Sequence, residues 1–227
     1  MISSQRDRRV IIVGSSGQCS VVLDALACAG GWDIVGLLDS FLCRGAVRHG
    51  YCVLGKAEEA SEVARSTACA RFFVAVGDNW SRSKLTRLVF SLVDGVEMIN
   101  VIHPAAVVSR SARIGTGVAL FAGSVVGAGA ELGDGVLLNT ASSADHDCRL
   151  GAFSSLGPGA RLGGKAVLGE GAAICLAAVV REAAQIGAWS VTGAGATVLD
   201  DIPAGVVAYG TPARIVRARK PDDPYLR

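Results

Sequence analysis

From Val108 to Val198 an anchor residue recurs at every sixth position without a break. The anchors are Val108, Ile114, Leu120, Val126, Leu132, Leu138, Ala144, Leu150, Leu156, Leu162, Leu168, Ile174, Val180, Ile186, Thr192 and Val198. All but Ala144 and Thr192 are Val, Ile or Leu. Two residues before each anchor, from Val118 to Ala196, stands only Val, Ser, Ala or Cys. A period of six is neither the 3.6 of a helix nor the two of a simple strand. It fits a triangular coil in which each hexad makes one flat side and one corner, and three hexads close one turn of 18 residues. The large aliphatics stack inward, the small residues fit the corners, and coils lie about 4.8 Å apart, the spacing of paired strands. Roughly five coils follow, and a solenoid of this regularity predicts a parallel β-helix over 101–216.

The first hundred residues carry a different pattern. Arg9–Gly14 reads as a buried strand ending in glycine, and Gly14-Ser15-Ser16-Gly17 as a tight turn. Ser20–Ala29 follows as a helix, Asp33–Asp39 as a second strand and Phe72–Val76 as a third. Strands alternating with helices predict a small Rossmann-like parallel α/β domain over 1–100. In such sheets ligands sit at the carboxyl ends of the strands, where helix N-termini offer free N–H groups to phosphate. Gly14, Ser15, Ser16 and Gly17 are therefore candidates for a nucleotide diphosphate. Asp39, at the end of the second strand, is a candidate for a ribose hydroxyl. Gly77, Asp78 and Asn79, after the third strand, are expected on the same face, with Arg82 and Lys84. The join falls at Val101-Ile102-His103-Pro104, and 217–227 is expected to be a flexible tail.

Composition narrows the function. Half the chain is hydrophobic, 51%, yet only 5% is aromatic, so the core is built from small aliphatics. The net charge of +2 comes without a basic block, which argues against nucleic acid. No run is long enough to span a membrane, and the polar start lacks a secretory core, so a cytoplasmic protein is expected. The seven cysteines have no paired spacing and are read as free thiols.

Of three histidines, His49 is read as exposed and His103 as structural, at the join. His146 lies in Ala144-Asp145-His146-Asp147, a polar run inside an otherwise apolar coil. An imidazole beside a carboxylate suits a general base, because it titrates near neutrality and the carboxylate steadies the cation. Cys148 fills a small inward slot and is not read as a nucleophile.

The segments VIIVGSSG, VGDN, NVIHPAAVVS, LNTASSADHDCRLG and YGTPARIV together resemble the hexapeptide-repeat acyltransferases that modify nucleotide-linked sugars: the bacillosamine and perosamine N-acetyltransferases and the sialic-acid O-acetyltransferase group. The resemblance spans residue 9 to about 216. It implies a left-handed β-helix, a homotrimer with the active site between neighbouring helices, and direct transfer from acetyl-CoA to a sugar amine, with no metal. It implies that His146 is the general base, Asp147 its partner and Asn139 its neighbour. It implies that Ser155, Gly164 and Ala194 line the coenzyme groove and that Gly210, Pro212 and Arg214 close over it. Two positions depart from the family pattern: the usual turn histidine is replaced at Gln18-Cys19, and a histidine often found in the coenzyme groove is Ser155. Transfer to a sugar hydroxyl, or of another short acyl group, is the alternative.

Overall fold

The structure, a computed structural model, describes residues 8–226; the polar leader 1–7 and Arg227 lie outside the described residues. The N-terminal part is a sheet in the order β3-β4-β2-β1-β5-β6. Its strands are β1 (Arg9–Val13), β2 (Asp33–Leu38), β3 (Val47–Arg48), β4 (Tyr51–Gly55), β5 (Arg71–Val74) and β6 (Glu97–Met98). All pairings are parallel except the β3–β4 hairpin. Helices α1 (Gly17–Ala29), α2 (Ala60–Thr67) and α3 (Asn79–Leu92) cover it. Val10, Ile11, Ile12 and Val13 are buried because a parallel sheet is covered on both faces.

From Val101 onward the chain winds as two-residue strands separated by corners, up to Thr197–Val198. Each strand pairs with the strand 18 residues on, as Ile114, Leu132, Leu150, Leu168 and Ile186 do in one stack. The second residue of each strand points in. Every small-slot residue from Val118 to Ala196 is fully buried, Cys148 included. Together these form a left-handed β-helix with three faces. It ends in a hairpin of the strands Val206–Tyr209 and Arg214–Ala218.

The three faces have different fates. The first, with outward residues Val101, Ala119, Leu137, Ser155, Ala173 and Val191, is buried along its length. The N-terminal part covers its upper coils, where Ala119, Phe121 and Leu137 join the core of α1. A second face carries Val107, Val125, Ser143, Arg161, Val179 and Thr197, with all three valines exposed. The third is polar and charged, with Arg113, Glu131, Arg149 and Gln185.

The N-terminal end of α3 locks the two parts together. The guanidinium of Arg82 is buried and donates to the carbonyls of Gly135 and Phe153 on the β-helix and of Val76 and Gly77 on its own side. Burial lowers its pKa to about 10, so it stays charged at neutral pH. Trp80 meets Trp189 edge to face with ring centroids 5.3 Å apart.

Residues 217–226 are not loose, contrary to the expectation from sequence. Arg219 is buried and donates to the carbonyls of Trp189, Pro221 and Asp223. The Tyr225 hydroxyl accepts the Asn79 N–H at 3.3 Å. A short polar segment holds its place here because Arg219 finds carbonyl acceptors in Trp189 and within the segment itself.

Candidate active site

Two cavities lie at the carboxyl ends of β1 and β5. The larger, of about 790 Å³, is lined by Gly14, Ser15, Ser16 and Asp39, as the sequence suggested, and by Phe41, Trp80, Lys84 and Arg87. Gly14 has φ +99, and a Cβ there would meet Val76 at 2.9 Å, so only glycine lets the turn pass this close to β5. Ser16 occupies the N-cap position of α1 without a side-chain cap, which leaves the Gly17 and Gln18 N–H groups available to an anion, while the Cys19 N–H bonds the Ser16 carbonyl. Gly17 opens α1 beside the cavity.

Asp39 accepts hydrogen bonds from Ser15 Oγ at 2.6 Å and from the Phe41 and Leu42 N–H groups. Burial alone would raise its pKa; these bonds outweigh burial and hold it below the ordinary carboxylate value. His49 is exposed as expected, but its Nε2 also lies 3.0 Å from the Ser15 carbonyl.

Gly77, Asp78 and Asn79 lie away from the lining of the larger cavity. Asp78 caps α3 by accepting the Ser81 N–H. Asn79 is buried and donates to the carbonyls of Gly171 and Ala172, while its oxygen accepts from Arg82. Their polarity serves the joint between the two parts, as does that of Arg82. Gly77 lines the smaller cavity instead. Phe41, Trp80 and Arg87 were missed. The signal for the last was the stripe Ser81, Lys84, Leu88 and Ser91 at helical spacing on α3, which includes Lys84 and faces the cavity.

The smaller cavity, of about 500 Å³, is mostly apolar. It is lined by Gln18 and Gly77, by Asn139, Ser155 and Ala194 of the β-helix, and by Tyr225 and Leu226. Gly210, Pro212 and Arg214 lie just beyond it, where the hairpin turn bonds back to Thr197.

His146 stands apart, on the corner between the valine face and the charged face. Its Nδ1 lies 3.0 Å from Asp147 Oδ2, and its own N–H donates to Asp145 Oδ1. The bond to Asp147 raises the imidazole pKa above its ordinary value, and the charge of Asp145 adds to this. One coil on, Gly164 lies directly beneath the ring: a Cβ there would stand 2.3 Å from His146 Nε2. The N–H groups of Gly163 and Lys165 bond to the carbonyls of Val180 and His146. No acceptor meets the Gly164 N–H among the described residues. Asn139 lies on a different corner of the same coil, one face away, so a single chain does not bring it to His146.

Burial pushes the Cys148 thiol up to about 11, which makes it a poor nucleophile. Asp24, Cys28 and His103 gather their donor atoms within 4.8 Å at the seam. His103 Nδ1 accepts the Ala105 N–H, however, so the neutral ring carries its proton on Nε2. That arrangement suits hydrogen bonding better than metal ligation. No helix among the described residues is long and apolar enough to cross a membrane.

A family model for the PglD N-terminal domain matches residues 9–89. GDP-perosamine N-acetyltransferase from Caulobacter crescentus is 38% identical, with 92% of this chain and 96% of that one covered and a TM-score of 0.86. The chain belongs to the hexapeptide-repeat nucleotide-sugar acyltransferases. That Caulobacter structure is of a variant with one histidine replaced by alanine, in complex with CoA and GDP-perosamine. The acetyltransferase domain of PglB from Neisseria gonorrhoeae, in complex with acetyl coenzyme A, is 36% identical to this acyltransferase. That match covers 92% of this chain and all of that one, with a TM-score of 0.85. WeeI from Acinetobacter baumannii is 26% identical, with 91% and 99% covered and a TM-score of 0.78. By family the acyltransferase is a coenzyme-A-dependent sugar N-acetyltransferase.

Proposed function

We propose that this enzyme acetylates the C4 amine of a nucleotide-linked deoxyamino sugar from acetyl-CoA, with His146 as general base. The observation that carries the reading is the His146–Asp147 pair, held at 3.0 Å on an outward corner over Gly164. The acceptor amine attacks the thioester carbonyl as the free base. His146 Nε2 takes a proton from the attacking nitrogen, and Asp147 at Nδ1 steadies the imidazolium. The Gly164 N–H, which meets no acceptor among the described residues, is the donor for the oxyanion. As the C–S bond breaks, the proton passes to the thiolate of coenzyme A or to solvent. No covalent enzyme intermediate is needed.

The diphosphate rests on the N-terminus of α1, with the nucleoside in the larger cavity near Asp39. Ser155 and Ala194 line the coenzyme groove, and Gly210, Pro212 and Arg214 close it. The enzyme works as a homotrimer. The valine face supports this, because Val107 and Val125 make an exposed apolar pair at its upper end, with Val179 three coils on from Val125 beyond Ser143 and Arg161, all between the Asn139 and His146 corners. Turn three copies so that these faces meet at a threefold axis. The Asn139 corner of each copy then adjoins the His146 corner of the next. Seven free cysteines and the two small-molecule substrates suit the cytoplasm.

The test is thiol release from acetyl-CoA with UDP-, dTDP- and GDP-linked 4-amino sugars, wild type beside His146→Ala. Release with one amino sugar, cut about 10²–10⁴-fold in the variant, is expected. Release only with hydroxyl acceptors would move the reading to O-acetylation.

A further inference from the structure

The two cavities meet at the turn between β1 and α1. Ser16 and Val76 line the larger; Gln18 and Gly77, two and one residues on, line the smaller. A nucleotide sugar has its diphosphate in the middle. With that diphosphate on the N-terminus of α1, its two ends fall in the two cavities, and the end in the smaller one reaches Asn139 and Ser155. This step rests on the nucleotide-sugar reading above.

We propose that Gln18 and the C-terminal segment Pro224–Leu226 determine which sugar this enzyme accepts. Gln18 lines the smaller cavity, yet its Nε2 is shielded from solvent and has no hydrogen-bond partner. A buried amide donor left unpaired is costly, and an oxygen of the bound sugar relieves that cost. The adjoining wall is built by Pro224, Tyr225 and Leu226. Tyr225 is half-buried, with its hydroxyl on the Asn79 N–H and hydrogen-bonded to Ser155, and with Arg219 5.6 Å from its ring. Leu226 lies against Gly77 and Gln18: its Cδ1 and Gln18 Oε1 are each 3.4 Å from where a Gly77 Cβ would stand. The site therefore sets one amide donor beside an apolar surface. That pairing matches a 6-deoxy sugar, which presents a ring oxygen or hydroxyl to the donor and its C6 methyl to Pro224 and Leu226. A sugar with a C6 hydroxyl would bury that hydroxyl against the wall unpaired.

Isothermal titration tests this without relying on turnover. Wild type, Gln18→Leu, Gln18→Glu and a chain ending at Asp223 are each titrated with UDP, dTDP and GDP, with the matching 4-amino-4,6-dideoxy sugar nucleotides, and with acetyl-CoA. The expected result is that the Gln18 variants keep the wild-type affinity for the bare diphosphate and for acetyl-CoA. The extra affinity that the sugar brings falls about tenfold or more in Gln18→Leu. It falls likewise in Gln18→Glu, which keeps the shape of the side chain but removes the donor. The shortened chain should also narrow the gap between the 6-deoxy sugar and its 6-hydroxy counterpart. Two outcomes overturn the proposal with the nucleotide-sugar reading intact: an unchanged sugar increment in both Gln18 variants, or a loss that falls on acetyl-CoA. A wild type that binds none of the diphosphates or their sugars would overturn both.

Discussion

His146 can serve as a base only while its ring is neutral, and Asp147 sets the pH at which that holds. The bond at Nδ1 raises the imidazole pKa, so activity should rise with pH through a midpoint above the ordinary imidazole value. Asp147→Asn removes that charge. The acid limb of the kcat/KM profile should then move to lower pH. Its plateau should fall by about one to two orders of magnitude, since the ring loses its orienting partner but the base remains. A plateau that falls with no movement of the limb would mean that Asp147 holds the backbone rather than the proton. The pair was legible in the sequence because Asp145-His146-Asp147 interrupts an apolar coil. Its setting was not. Nothing within the hexad of His146 says that the residue beneath the ring, 18 positions later, must be Gly164, since that contact exists only once the coil is closed.

At the scale of the coil, the two anchors that break the aliphatic rule have different causes. Ala144 leads into the histidine corner. Thr192 lies in the stack between Ile174 and Ala208, fully buried, and its Oγ1 has no partner. An unpaired hydroxyl in such a stack costs about 1–3 kcal/mol. Thr192→Val keeps the branched shape and removes the hydroxyl, so it should stabilise by about 1 kcal/mol and raise Tm by about 2–4 °C. A lowered denaturation midpoint would show that the hydroxyl is satisfied after all. The hexad rule made the β-helix readable to the residue because every coil repeats the same corner constraint. The α/β part was readable only in outline. Gly14 and Asp39 announced a ligand turn, but Asp78, Asn79 and Arg82 look identical in sequence whether they face a ligand or a neighbouring part of the chain. The acceptors that decided it are main-chain carbonyls of Gly135, Phe153, Gly171 and Ala172, and a carbonyl leaves no mark on the sequence.

The whole molecule raises a question that a single chain cannot answer from within. Asn139 and His146 lie seven residues apart in sequence, yet the valine face separates their corners. If both serve one reaction, they must come from different copies. A threefold arrangement around the valine faces does this, because a heterologous contact joins one edge of each copy to the other edge of the next. The consequence can be tested by mixing. His146→Ala and Asn139→Ala homotrimers should each be nearly inactive, since every site in either lacks one partner. When the two variants are co-expressed, a site becomes complete wherever an intact His146 from one copy meets an intact Asn139 from its neighbour. Random assembly makes about a quarter of the sites complete, so acetylation should recover to roughly a quarter of the wild-type rate. Val125→Glu, which places a charge beside Val107 on this face, should abolish the recovery and shift the mass seen by light scattering toward the monomer. If the two residues acted from one chain, mixing would restore nothing, because every subunit would still lack one of them.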